Sequence, residues 1–402
     1  MVSQVVCLTL FSDKINSPIM SVPIPFNRSS QQGKELDYVH QTISKGQVAG
    51  DQTFSKKCQR LLEDTLGIQK ALITTSCTHA LEMAAILLNI QPNDEVIVPA
   101  FTFVSTANAF VLHGARPVFC DIRPDTLNLD ESKLESLITK QTRVIIVVHY
   151  AGVGCEMDKI LEIANRHGIA VVEDNAHGLF GKYQGRSLGT FGCLATQSFH
   201  ETKNITCGEG GALLINNQEL IERAEIIREK GTDRTRFFRG QVDKYSWVDL
   251  GSSYVMSDIL AAFLYGQLEQ WQQIQKKREI IWKRYNEELS NWAEQNGVRR
   301  PVEPQHCDQA YHMYYLLMPS AECRSKFIAQ LKDRGVMSVF HYLPLNSSTF
   351  ALKMAEKGWQ KFQCPVTEDV AERLVRLPFY SNMSHDDQTR VIEVVLKFNS
   401  LA

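Results

Sequence analysis

Four clusters of polar and charged residues stand where apolar, strand-like runs end. The first, Thr74-Thr75-Ser76-Cys77-Thr78-His79-Ala80, links such a run to a helical pattern. Hydroxyls and free backbone N–H groups at a helix N-terminus form an anion site suited to phosphate, and the same residue types also serve as a plain helix cap. The second, Pro99-Ala100-Phe101-Thr102-Phe103, closes the next run, where an aromatic ring can stack on a planar ligand or fill a core. The third is Glu173-Asp174-Asn175-Ala176-His177; an acidic pair at a buried strand end is costly without a cationic partner. The fourth, Ser198-Phe199-His200-Glu201-Thr202-Lys203-Asn204, precedes the turn Gly208-Glu209-Gly210-Gly211. Lys203 reads either as a reactive amine or as a solvated lysine. No glycine immediately precedes it, so the phosphate-loop lysine motif is not matched, and the absence of G-x-G-x-x-G weakens a nicotinamide-dinucleotide reading. One cofactor accounts for all four clusters: pyridoxal phosphate needs an anion cradle, a ring stacker, a carboxylate at its pyridine nitrogen and a lysine that forms a Schiff base.

These clusters need a scaffold that gathers strand ends, since ligands of open α/β sheets bind outside the carboxyl ends of the strands. Short β-rich runs at 71–74, 95–98, 117–120, 144–148, 170–173 and 212–215 alternate with helical patterns such as 78–88 and 157–167, the latter followed by Gly168 as a stop. Most runs are apolar throughout, as in central strands covered on both faces, and the alternation predicts a mostly parallel, doubly wound sheet. A long helical pattern runs from Ser257 through Leu264, Leu268, Trp271 and Ile274 to Trp292, its tryptophans read as packing residues. After Pro301 and Pro304 a strand over 314–318, a helix ending at Arg334-Gly335, a strand over 336–342 and further helices predict a smaller α+β part. The expected organisation is an extension over 1–20, a large domain over 21–260, and a connecting helix with a small domain over 261–402.

Composition narrows the function classes. In 402 residues, 44% are hydrophobic and 22% charged, ordinary for a globular chain. Forty-three basic against forty-five acidic residues give a net charge of −2, which argues against a nucleic-acid binder but not against a small anionic ligand. No apolar run has the length of a membrane span. Val5 to Phe11 faintly resembles a signal core, yet it lacks a basic flank and is followed by Asp13 and Lys14, so a cytoplasmic location is expected. Met20 is a possible second start, which would make the first nineteen residues dispensable. The ten cysteines include no C-x-x-C pair and no Cys/His cluster with zinc spacing, so reduced thiols and no metal are expected.

At these residues the sequence resembles the sugar-nucleotide aminotransferases of the DegT/DnrJ/EryC1/StrS group, within the aspartate-aminotransferase-like fold (PLP fold type I). The resemblance covers nearly the whole chain from Ile24 and is most specific at 173–177, at Ser198-Phe199-His200 with Lys203-Asn204, and at 208–211. Within the family, 237–245 and 247–254 look like the branch of TDP-4-amino-4,6-dideoxygalactose transaminases of enterobacterial common antigen synthesis. The resemblance implies that Lys203 carries the cofactor as an internal aldimine and acts as general base. It implies that Asp174 faces the pyridine nitrogen, His177 the phenolic oxygen and Phe103 the ring, with Cys77 (through its N–H), Thr78 and Ser198 on the phosphate.

Family enzymes are typically homodimers with shared active sites, and Ser253 and Val255 stand where many members have asparagine and arginine, which places Ser253 at the cross-subunit phosphate contact. The family's Gly-Thr phosphate turn is Cys77-Thr78 here, which removes glycine's backbone latitude. The family's His-Tyr pair is kept as His341-Tyr342, and its later histidine is Asn346. The implied reaction moves an amino group from L-glutamate to the C4 ketone of TDP-4-keto-6-deoxyglucose, giving 2-oxoglutarate and a TDP-amino sugar. Lys244 is the expected clamp on the diphosphate, with His341 and Tyr342 near the sugar, across the dimer interface. A relative aminating C3, or one making the gluco epimer, is the nearest alternative. Relatives that dehydrate carry histidine in place of the lysine, and a non-catalytic regulator on the same scaffold would need a lost lysine or an added DNA-binding module.

Overall fold

The computed structural model describes residues 22–400; the extension expected over 1–20, with its signal-like run, lies outside the described residues. Seven strands form the main sheet: β1 (Lys70–Thr74), β2 (Glu95–Pro99), β3 (Arg116–Cys120), β4 (Thr142–Val148), β5 (Ala170–Asp174), β6 (Leu194–Ser198) and β7 (Gly211–Ile215). Their order is β1-β7-β6-β5-β4-β2-β3. The four ladders from β3 to β6 are parallel, and β7 runs antiparallel to both its neighbours. The fully apolar strands have a direct cause in the layering. In β4, Val144 and Ile146 enter one core while Ile145 and Val147 enter another on the opposite face; β7 divides Leu213 and Ile215 from Ala212 and Leu214 in the same way. Each face is covered by helices, so a two-sided strand has no polar side. The helix Met157–His167 ends where its sequence indicates, at Gly168 in the left-handed conformation (φ 65°).

Two expectations are corrected. The long helix predicted from Ser257 to Trp292 is three helices, Asp258–Leu268, Trp271–Glu288 and Ser290–Gln295. The break follows from packing. The first helix buries Ala261, Ala262, Leu264 and Leu268 against the main sheet's core, whereas the second reaches the C-terminal core with Trp282 and Tyr285. The tryptophans do pack: Trp282 and Trp292 are buried, and Trp271 stacks on Phe180 with ring centroids 4.3 Å apart. The strand predicted over 336–342 is also absent as a regular element. The C-terminal two-stranded sheet pairs β8 (Tyr315–Leu317) with β9 (Leu374–Arg376). The 336–342 segment makes only isolated bridges, Val336 to Ile24 and Val339 to Arg376, so it changes partner and is free to turn towards the main sheet.

The C-terminal core gathers Tyr285, Tyr314, Phe327, Val375 and Val391, and Ile24 joins it. In the reverse sense, Cys307–Asp308 pairs with Lys182–Tyr183. Among the described residues the nine cysteines are free, no cluster of metal-ligating side chains forms, and no helix is long and apolar enough to cross a membrane.

Candidate active site

The strand-end clusters meet at one cavity of about 690 Å³, lined by Cys77, Thr78, Phe103, Asp174, His177, Ser198 and Lys203 from the main sheet's side and by His341 and Tyr342 from the C-terminal part. Helix Cys77–Leu87 starts at its edge. Ser76 caps it by accepting from the His79 N–H at 3.1 Å, which leaves the N–H groups of Cys77 and Thr78 as free first-turn donors beside the cavity. Cys77 is already helical, so the turn needs no glycine here. Close approach instead falls on Gly211: an added Cβ would lie 2.3 Å from the Ser76 carbonyl carbon and 2.4 Å from Cys77 N. The Thr78 hydroxyl donates to Ser105 Oγ at 2.8 Å, and burial pushes the Cys77 thiol up, so it stays protonated.

The acidic pair closing β5 divides between two jobs. Glu173 faces away from the cavity, accepting from the N–H groups of Gly189, Phe191 and Gly192 at 2.6–2.7 Å and lying 2.9 Å from His149 Nε2. Asp174 lines the cavity. Its Oδ2 accepts from Thr106 Oγ1 at 2.7 Å and its Oδ1 from the Ala176 N–H at 3.2 Å. Burial raises its pKa, an effect opposed by these bonds and by Lys203. Lys203 is shifted towards the neutral amine for the same reason, to about 8, against the pull of Asp174. The two groups are the charge partners that a buried acidic strand end requires.

His177 has Nε2 3.1 Å from the Tyr342 hydroxyl, and its buried Nδ1 has no partner; burial and the nearby Lys203 hold it neutral. Tyr150 Oη lies 2.7 Å from His341 Nδ1. Phe103 stands just before the helix Val104–Val111 and is 56% exposed, available to a planar ligand rather than spent on a core. Ser198, at the end of β6, accepts from the His200 N–H at 3.4 Å.

Two expectations about placement change. His341 and Tyr342 belong to the same chain's cavity as Lys203, not to the far side of an interface, because the 336–342 segment bends into it. Lys244 is exposed, and Ser253 lines a separate surface pocket with Arg228 and Lys230; neither touches the cavity of its own chain. Sequence reasoning missed Thr106, Ser105, Tyr150, His312 and Arg376. Thr106 and Ser105 follow Phe103 on one helix, so an i, i+3 reading would have found Thr106; the others come from remote segments and have no local signal.

A model of the DegT/DnrJ/EryC1/StrS aminotransferase family matches residues 29–396. The chain belongs to this family. Among DegT/DnrJ/EryC1/StrS relatives, uncharacterized protein MJ1066 of Methanocaldococcus jannaschii is 38% identical over 350 residues, 86% of this chain and 89% of that protein. Spore coat polysaccharide biosynthesis protein SpsC of Bacillus subtilis is 32% identical over 372 residues, 90% of this chain and 93% of its own. The putative sugar aminotransferase Spr1654 of Streptococcus pneumoniae, solved in a PLP form, superposes with a TM-score of 0.84 at 26% identity, covering 93% of this chain and 97% of that one. The fold is thus the aminotransferase α/β fold, and the protein is a PLP-dependent aminotransferase. The cavity fits that cofactor: free helix N-terminal donors, a buried carboxylate, a desolvated amine, an exposed aromatic ring and an unpartnered buried imidazole nitrogen share one enclosure.

Proposed function

We propose that the protein transfers an amino group from L-glutamate to the C4 ketone of TDP-4-keto-6-deoxy-D-glucose, giving TDP-4-amino-4,6-dideoxy-D-galactose and 2-oxoglutarate. The observation that carries the chemistry is the pairing of Lys203, with an amine near pH 8, and buried Asp174 in one cavity. The sugar substrate is supported by the names of SpsC and Spr1654 and by the likeness of residues 237–254 to the TDP-amino-sugar branch. The expected organisation into a large cofactor domain over 21–260 and a small domain over 261–402 puts the cavity between them.

In this reading Lys203 anchors the cofactor, Asp174 faces the pyridine nitrogen, His177 the phenolic oxygen and Phe103 the ring face. The Cys77 N–H, Thr78 and Ser198 take the phosphate. Bound pyridoxal phosphate supplies an electron sink and a carrier for the amino group. The residues of the chain do the rest. Burial lowers the pKa of Lys203 Nζ to about 8, which suits it to act as a base at mildly alkaline pH. It takes the proton from the donor's α-carbon and, in the second half of the cycle, returns one to C4 of the sugar. Asp174, its oxygens aimed by Thr106 and the Ala176 N–H, holds the ring nitrogen's proton in place. His341 and Tyr342 orient the sugar.

Lys244 and Ser253 enter through a second copy. In a cytoplasmic homodimer with shared sites, Ser253 reaches the partner's phosphate and Lys244 the diphosphate of its substrate. The exposed Phe238, Trp247 and Leu250 flanking Lys244 support a covered surface there. The product is suited to cell-surface polysaccharide synthesis.

The test is incubation of the holoenzyme with L-glutamate and TDP-4-keto-6-deoxyglucose, followed by NMR of the product. An axial C4 amine is expected. An equatorial amine or a C3 amine replaces the product assignment, and no turnover removes the sugar assignment while leaving the aminotransferase family intact.

A further inference from the structure

A second cavity, of about 10 Å³, adjoins the first, and Asn27 and Lys203 line both. Arg278, on the helix Trp271–Glu288, also lines it. This residue is 3% exposed, and among the described residues no carboxylate pairs with it. Its Nε donates to the Tyr311 carbonyl at 2.9 Å, Nη2 to the His312 carbonyl at 2.5 Å and Nη1 to Ser381 Oγ at 3.4 Å. Its Cζ stands 4.6 Å from the Phe379 ring centroid. A guanidinium has five N–H groups, so two are left without an acceptor. Burial alone lowers its pKa, to about 9, as befits a desolvated cation without a countercharge.

Two other groups of the wall add to this deficit of negative charge and acceptors. Tyr380 is 2% exposed, and its hydroxyl makes no hydrogen bond among the described residues. Arg28 is exposed, pairs with no carboxylate, and opposes the rise that burial and Asp387 impose on the Tyr380 phenol. The one carboxylate of the wall, Glu201, is exposed and joins none of these cations. The space suits one small occupant. Water fits there but brings no charge, and a buried guanidinium is costly when uncompensated. A phosphate is too large.

We propose that this cavity binds one small monovalent anion, chloride in ordinary salt, between the free N–H groups of Arg278 and the Tyr380 hydroxyl. Arg278 also grips the carbonyls of Tyr311 and His312, so the bound anion braces the segment that carries His312. The site goes beyond the amino-transfer chemistry and depends neither on the sugar nor on the role of Lys203.

The test joins crystallography to a solution titration of the holoenzyme. Crystals soaked in sodium bromide and measured at the bromine absorption edge should show an anomalous peak between Arg278 and Tyr380. In solution, the melting temperature is followed against potassium chloride, with potassium gluconate holding ionic strength fixed so that screening stays constant. A saturable rise with millimolar half-saturation is expected. Tyr380→Phe should raise the half-saturating chloride concentration about fivefold, the scale of one lost hydrogen bond. Arg278→Met should abolish the rise. Should Arg278→Met fail to fold, Tyr380→Phe decides, since it removes a single oxygen from the wall. A water in place of bromide, a Glu201 carboxylate closed onto Arg278, or a chloride response unchanged in Tyr380→Phe overturns the proposal. So does an adventitious ion only, seen as a bromide peak with no saturable response in solution.

Discussion

The imidazoles of His177 and His312 stack with centroids 4.1 Å apart and planes 17° from parallel. Asn204, next to Lys203 in sequence, sets the geometry. Its amide nitrogen donates to the Ala310 carbonyl and to Gln275 Oε1, so its oxygen faces His312 Nδ1 at 2.9 Å and that nitrogen carries the proton. His312 is therefore a neutral plate of fixed tautomer, and burial together with His177 and Lys203 keeps its pKa well below the usual histidine value. His312 positions His177, which in turn touches Tyr342.

From that arrangement, His312→Leu should lower kcat by roughly tenfold, the scale of one misplaced positioning contact, and should shift the absorption maximum of the bound cofactor, since His177 loses its backing. A variant with normal kcat and an unchanged spectrum would remove the positioning role.

Asp174→Asn should fold, bind cofactor and turn over at least about a hundredfold more slowly, because an amide cannot stabilise a protonated ring nitrogen. Thr106→Val removes a 2.7 Å hydrogen bond to the same carboxylate. A bond of that charged kind is worth about 1.5–3 kcal/mol, so a smaller loss in kcat, roughly tenfold, is expected with an intact far-ultraviolet spectrum. Equal rates for wild type and Asp174→Asn would sink the electron-sink role.

Lys203→Ala should abolish both transamination and borohydride-dependent attachment of the cofactor, read by mass spectrometry of the peptide containing residue 203. The pH dependence has a definite sign. The folded-state value, about 8, lies below the ordinary 10.5, so the unfolded chain binds more protons between those two values. Apoprotein stability therefore rises with pH across that window, and the full cost of burying the ammonium is felt below pH 8. Lys203→Met should stabilise the apoprotein at pH 7 by on the order of 2–3 kcal/mol, with the difference vanishing near pH 10.5 in denaturant titrations. A difference that grows with pH would contradict the assignment.

Glu173→Ala should act on stability. Its carboxylate satisfies three backbone N–H groups of the 189–192 turn and meets His149, and each buried donor left without its acceptor costs about 1–3 kcal/mol. A substantial fall in Tm is expected, with kcat per folded molecule changed far less than in Asp174→Asn. A variant as stable as wild type would show that the turn is held by something else.

Much of this protein was legible in its residues alone. Two-sided apolar strands announced the sheet because a strand covered on both faces has no polar side to show, and Gly168 ended its helix because only a left-handed residue fits there. Lys203, Asp174, His177 and Phe103 stood out because strand ends in such sheets converge on one edge, so local clusters implied a common site. Strand pattern alone does not distinguish Glu173 from its neighbour Asp174, which only the family resemblance singled out: adjacent residues of a strand point to opposite faces, and the packed turn at 189–192 shows that Glu173 is the structural carboxylate. Nor could it place His341 and Tyr342 beside Lys203, break the helix at Leu268, or find His312 and Arg376. Those outcomes depend on contacts between segments more than a hundred residues apart, or on competition between two cores for one helix, and no local spacing encodes either.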